Sequence, residues 1–202
     1  MQSYSSIRDL LHFNNDLPYT RDWSAAADFL KIIIDECLLS KPSSIMECSS
    51  GLTTLILARC CQINNKGHVY SLEHESEYQL KTIKQLDEFG LAEFATVIYA
   101  PLDTITVNSE NYLWYDTGLI PDIMTDMVVI DGPPGHIQKN SRYPALPILA
   151  EKIVENSKIF LDDAARDDEK SIIELWKKDY PGITHEYQDT ERGCSIITMH
   201  HE

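Results

Sequence analysis

The sequence is short of positive charge. Its 202 residues carry 17 Lys and Arg against 32 Asp and Glu, a formal net charge of −15. Holding a polyanion needs clustered cations to neutralise phosphate, so nucleic acid and anionic membrane surfaces are not expected partners. Long apolar runs are missing as well: none approaches the ~18 residues of a membrane span. The N-terminal MQSYSSIRDLLHF has no basic segment leading into an apolar one, so no signal peptide is expected. The five cysteines, Cys37, Cys48, Cys60, Cys61 and Cys194, are odd in number and form no CxxC pair. Most lie in apolar stretches, which reads as buried free thiols in a reducing compartment, and the expected location is cytoplasmic. Repeats, low-complexity tracts and Gly/Ser/Pro-rich linkers are lacking too. The length suits one domain, residues 22–202, behind a polar, aperiodic arm over 1–21. It is enough to bury a core without disulfide or structural metal.

What the chain does have is alternation. From a cap at Asp22 or Ser24, apolar Ala26, Leu30, Ile33 and Cys37 stand at helical spacing, until Lys41-Pro42-Ser43-Ser44 stops the run. Strand-like Ile45–Cys48 is followed by the helical LTTLILARCCQ, then strand His68–Leu72 and a helix from about Glu75 to Phe89 with Gly90 as its stop. Phe94–Tyr99 reads as a strand, and Asp126–Ile130 as a strand buried on both faces. A helix over Tyr143–Asn156 must hold Pro144 and Pro147 in or before its first turn. Strand Lys158–Leu161, helix Asp168–Asp179 and the strands Ile183–Gln188 and Cys194–Met199 complete the order. This predicts an α/β fold, a Rossmann-like seven-stranded, mostly parallel sheet with a C-terminal antiparallel hairpin and helices on both faces. Ligands of such sheets bind at the carboxyl ends of the strands, so chemistry is sought there.

Those ends are informative. The first runs Glu47-Cys48-Ser49-Ser50-Gly51-Leu52-Thr53-Thr54 into a helix, small residues that let backbone approach a ligand, or an ordinary tight turn. No Lys follows the glycine, so this is no P-loop, and two glycines of the dinucleotide fingerprint are absent. Glu73 ends the second strand 22 residues beyond Gly51, where a nucleoside's ribose hydroxyls find an acceptor; equally it starts the next helix. Asp131 closes the apolar fourth strand in Asp131-Gly132-Pro133-Pro134-Gly135-His136 and needs a partner there. Asp162 and Asp163 close the fifth. Two adjacent carboxylates plus Asp131 suit a hard divalent cation, Mg²⁺, Mn²⁺ or Ca²⁺, unless Asp162 or Asp163 is a helix cap; Lys139, Arg142 and Tyr143 could bind an acceptor's acidic groups, or Arg142 could pair one of the carboxylates. His136 could shuttle a proton or be a surface residue. The cluster Tyr112-Leu113-Trp114-Tyr115 either walls an acceptor pocket or packs beneath a loop.

The strings IMECSSGLTT, VYSLEHE, VVIDGPPG, RYPALPIL and IFLDDAARDDE, with the hairpin, resemble class I S-adenosylmethionine-dependent methyltransferases over residues 22–199. They are similar above all to the small-molecule O-methyltransferases of the macrocin and catechol types. The resemblance implies S-adenosyl-L-methionine as cofactor and a small-molecule hydroxyl as methyl acceptor. It places Glu47, Ser49, Gly51 and Thr53 at the methionine part, Glu73 at the ribose, and Leu102 and Asp103 at the adenine. Asp131, Asp162 and Asp163 become metal ligands. Where the catechol-type enzymes carry a lysine base this chain has Pro133-Pro134, which leaves Asp131 or His136 as the base. An N-methyltransferase, a nucleoside-binding module without catalysis and a nicotinamide dehydrogenase are the other readings, and a homodimer is left open.

Overall fold

A computed structural model describes residues 3–21 and 23–200. Seven strands form one sheet: β1 (Ser44–Cys48), β2 (His68–Glu73), β3 (Ala95–Tyr99), β6 (Thr125–Ile130), β7 (Ile153–Leu161), β8 (Ile183–Gln188) and β9 (Cys194–Met199). Their order is β3-β2-β1-β6-β7-β9-β8. Only β9 runs against its neighbours, pairing antiparallel with both β7 and β8. The expected Rossmann-like sheet and closing hairpin are both present.

The pleat explains why the central strands read as unbroken apolar runs. Ile45, Met127 and Val129 enter one core, with α2 (Ala27–Ser40) and α3 (Leu52–Asn64). Met46, Val128 and Ile130 enter the other, with α6 (Asp167–Asp179). Successive side chains alternate faces, so a strand covered on both sides needs apolar residues throughout. Helix α4 (Ser76–Glu88) contributes Leu86 to the first core.

Four expectations need correction. The N-terminal arm holds a helix, α1 (Tyr4–Leu10), capped by Ser3, and it buries Ile7 and Leu11 completely. Their four-residue spacing is one helical face, which the exposed Leu10 obscures. Ser24 does not cap α2. Its hydroxyl accepts the Thr20 N–H (2.9 Å), and Ala26 stands at the cap without a side-chain bond. Asp22, the other candidate, lies outside the described residues.

The helix expected over Tyr143–Asn156 is only α5 (Ala145–Leu149) plus one tight turn, because β7 begins at Ile153 and runs nine residues. Polar Glu155 and Asn156, the latter at φ 63°, hide that start. Finally, the alternation of strand and helix breaks after β3, where it would put a helix. A two-stranded hairpin, β4 (Leu102–Val107) with β5 (Glu110–Tyr115), takes that place. It turns at Asn108 and Ser109, both at positive φ, and sends Trp114 into the second core. No described helix is long and apolar enough to cross a membrane.

Candidate active site

The strand order reverses between β1 and β6, and a cavity of about 1000 Å³ opens there along the carboxyl edge of the sheet. Ser49, Gly51, Thr53, Glu73 and Leu102 line it on the β1–β2 side. Asp131, His136 and Asp163 line it on the β6–β7 side, and Trp23 closes the rim against Tyr78 with ring centroids 6.2 Å apart.

The turn after β1 is held from beneath. Glu47 is fully buried, and its Oε2 accepts the hydroxyls of Thr54 (2.7 Å) and Ser71. The Thr54 hydroxyl in turn accepts the Gly51 N–H at 3.0 Å. Glu47 therefore does not reach the cavity, contrary to its expected place at the cofactor; it fixes the turn that does. Burial pushes its carboxyl up to about 7, against the two hydroxyl hydrogen bonds. Ser49, at φ 132°, occupies backbone space that glycine favours, and Gly51 (φ 135°) leads into α3. The helix N-terminus points free N–H groups at whatever occupies the turn.

Glu73 is built as an acceptor. Its Oε2 takes the Ser50 hydroxyl (2.7 Å), its Oε1 the Glu75 N–H (2.9 Å), and His74 Nδ1 lies 3.2 Å from Oε1. Burial would raise its pKa, but the bonds from His74, Ser50 and Glu75 outweigh burial and hold it below the usual range. It stays ionised beside the cavity. Leu102 also lines the cavity, whereas Asp103 is exposed, bonded to its own neighbour's Thr104 N–H (2.7 Å), and contributes no side chain there.

Gly132 sits where three segments meet. A Cβ on it would stand 2.5 Å from the Tyr115 hydroxyl and 3.3 Å from the Cys48 carbonyl oxygen, so only glycine fits. Tyr115, delivered by β5, is fully buried with no hydrogen-bond partner for its hydroxyl among the described residues. Burial, with Cys48 and Glu73 nearby, holds that hydroxyl far above its ordinary range, so it is a neutral donor.

The three aspartates do converge: Asp131, Asp162 and Asp163 each offer an oxygen within 4.8 Å of the others. A protein cation already stands among them. Arg142, from the loop before α5, reaches Asp163 Oδ2 at 2.8 Å and Asp131 Oδ1 at 3.2 Å, and donates to the carbonyl oxygens of Asp131 and Asp162 (2.8 and 2.9 Å). As a seat for the expected Mg²⁺ or Mn²⁺ the cluster fits poorly: Asp162 Oδ2 and Asp163 Oδ1 are buried without a hydrogen-bond partner among the described residues, but Asp131 Oδ1, Asp163 Oδ2 and both carbonyl oxygens already accept from the guanidinium. Asp162 is fully buried and does not line the cavity. Burial first, then repulsion from Asp131 and Asp163, pushes its carboxyl well above the usual range. Asp131 is pushed up to about 6 by burial, with Arg142 opposing. His136 is exposed on the lining.

Sequence reasoning weighed Arg142 as a partner for one acid and the Tyr112–Tyr115 cluster as a pocket wall, to which Tyr115 does contribute; it missed His74, Arg166 and Arg192 as parts of this wall. The VYSLEHE and IFLDDAARDDE strings that carry His74 and Arg166 were visible, but nothing in their spacing says they meet.

The fold is that of the class I methyltransferases. Among solved structures, the chain is similar to the O-methyltransferase TomG from Streptomyces achromogenes, described as involved in tomaymycin synthesis and in complex with S-adenosylmethionine. The match has a TM-score of 0.67 and 15% identity, over 98% of this chain and 89% of that one. An O-methyltransferase from Bacillus cereus in complex with S-adenosylhomocysteine matches at TM-score 0.69 and 14% identity, over 97% and 90%. A putative O-methyltransferase from Klebsiella pneumoniae matches at 0.69 and 15%, over 96% and 90%. No protein-family model and no curated protein matches the sequence.

Proposed function

We propose that this protein is an S-adenosylmethionine-dependent methyltransferase acting on a hydroxyl of a small molecule. The observation that carries the reading is an ionised, hydrogen-bonded Glu73 across from Asp131 in one cavity at the strand-order reversal. The solved structures with this fold that hold the cofactor or its product support it.

When bound, the cofactor supplies an electrophilic methyl group on a sulfonium. In this reading Glu73 accepts the ribose hydroxyls, Leu102 lies against the adenine, and Ser49, Gly51 and Thr53 surround the methionine part. Asp131 takes the acceptor's proton as its oxygen is methylated, and His136 is the second candidate for that role. The C–O bond forms as the C–S bond breaks, and the proton leaves to the base. Most of the gain comes from alignment of acceptor and donor carbon, which can be worth about 7–11 kcal/mol. No step passes through a metal.

The test is calorimetric titration with S-adenosylmethionine and S-adenosylhomocysteine, followed by an acceptor screen that reads S-adenosylhomocysteine release. Binding with turnover on hydroxyl acceptors supports the proposal. Turnover on amines alone makes it an N-methyltransferase, binding without turnover a nucleoside-binding module, and no binding refutes the reading.

A further inference from the structure

Strands β6 and β7 are neighbours in the sheet, and both end in carboxylates. Parallel strands bring these ends side by side, so the charges repel unless something positive stands between them. Arg142 does. Its side chain is 3% exposed, and its Nη2 bonds the Asp131 carbonyl oxygen, Asp131 Oδ1 and Asp163 Oδ2, while Nη1 bonds the Asp162 carbonyl oxygen and lies 3.6 Å from Glu169 Oε1. One planar fork thus ties two strand ends through backbone and side chain together.

Asp163 is surrounded further. Arg166 Nη1 is 2.8 Å from its Oδ2 and Arg192 Nη1 is 3.7 Å from its Oδ1. A divalent ion on Asp163 would face three guanidiniums at close range. It would also need about six oxygens at 2.0–2.6 Å, whereas Asp131 Oδ1, Asp163 Oδ2 and the Asp131 and Asp162 carbonyl oxygens already accept from Arg142, which leaves Asp162 Oδ2 and Asp163 Oδ1 as the buried oxygens of these aspartates without a hydrogen-bond partner among the described residues. A guanidinium cannot shed its proton in a protein, so it fills this seat permanently.

We infer that Arg142 is the resident cation of this cluster, standing in the seat of a divalent metal, and that the cluster is a metal-free clamp fixing Asp131 beside the cavity. Arg142 is a positioning residue that acts through Asp131. The inference rests on the cluster alone and holds whatever the cavity binds.

The experiment uses the whole chain, Mn²⁺ electron paramagnetic resonance and thermal melting. In the wild-type protein, Mn²⁺ at about 1 mM stays free, and neither Mn²⁺, Mg²⁺ nor a chelator moves Tm. In Arg142→Met, which empties the seat and leaves the three carboxylates without the fork, Mn²⁺ binds and raises Tm by about 5 °C or more at roughly 100 times its Kd. Arg142→Lys keeps a point charge in the seat and stays blind to Mn²⁺. Saturable Mn²⁺ binding by the wild type that Asp131→Asn abolishes would overturn the inference. So would a folded Arg142→Met protein that ignores Mn²⁺. If Arg142→Met does not fold, the wild-type resonance decides alone.

Discussion

Arg142 and Asp163 form a buried ion pair, 2.8 Å from Nη2 to Oδ2, with each side chain only 3% exposed. Removing the guanidinium leaves Asp131, Asp163 and Glu169 without their shared partner in a water-poor place. Breaking such a pair from one side costs about 3–5 kcal/mol. Arg142→Ala is expected to lower the urea midpoint sharply at pH 7, and Arg142→Lys by less, since it keeps the charge but not the fork.

Glu47 makes stability fall as pH rises. The folded chain keeps its proton up to about 7, while the unfolded chain releases it near the usual 4.5. Between those values the native state binds more protons, so stability is lost across that interval and is level above it. A shift of this size corresponds to about 3 kcal/mol. Glu47→Gln, which carries no such penalty, is expected to gain stability over the wild type at pH 8 and little at pH 4. Denaturant melts at the two pH values check the difference.

Ser49 holds a φ of 132° that glycine adopts without a Cβ penalty. Ser49→Gly is therefore expected to stabilise the fold by about 1 kcal/mol, the lower end of what such strain costs. Thermal melting reads it; a lower Tm would mean that the Ser49 side chain is needed in the turn.

Asp131 as base gives a rate that rises with pH. Its carboxyl is pushed up to about 6, so the ionised fraction grows tenfold per unit below that and levels above. On a responsive acceptor, kcat/KM is expected to follow this curve, and Asp131→Asn to lose about 10²–10⁴-fold. A profile that stays flat through pH 6 would remove Asp131 as the base.

The parts of this picture legible from sequence were those carried by short-range pattern. Continuous apolar β6, the βα turn at Ser49–Gly51 and the carboxylates ending β2, β6 and β7 each announce themselves within ten residues, and the sheet edge then assembles them. The β4–β5 hairpin was hidden because its aromatic run alternates only once buried: Leu113 stays exposed between Tyr112 and Trp114. Glu47 and Asp103 had motif positions but the wrong direction, one turned under α3 and the other out to solvent. Arg142 was visible only as one partner option. That it meets the ends of β6 and β7 at once is a fact of strand order, which no local pattern encodes.

The most direct measurement is calorimetric titration of S-adenosylhomocysteine into the wild-type protein and Glu73→Ala. The expected result is saturable binding at one site, weakened about 10–100-fold by the substitution, as loss of a charged hydrogen-bond acceptor costs about 1.5–3 kcal/mol. No binding to the wild type, or equal affinity in both proteins, would contradict a nucleoside seat at Glu73.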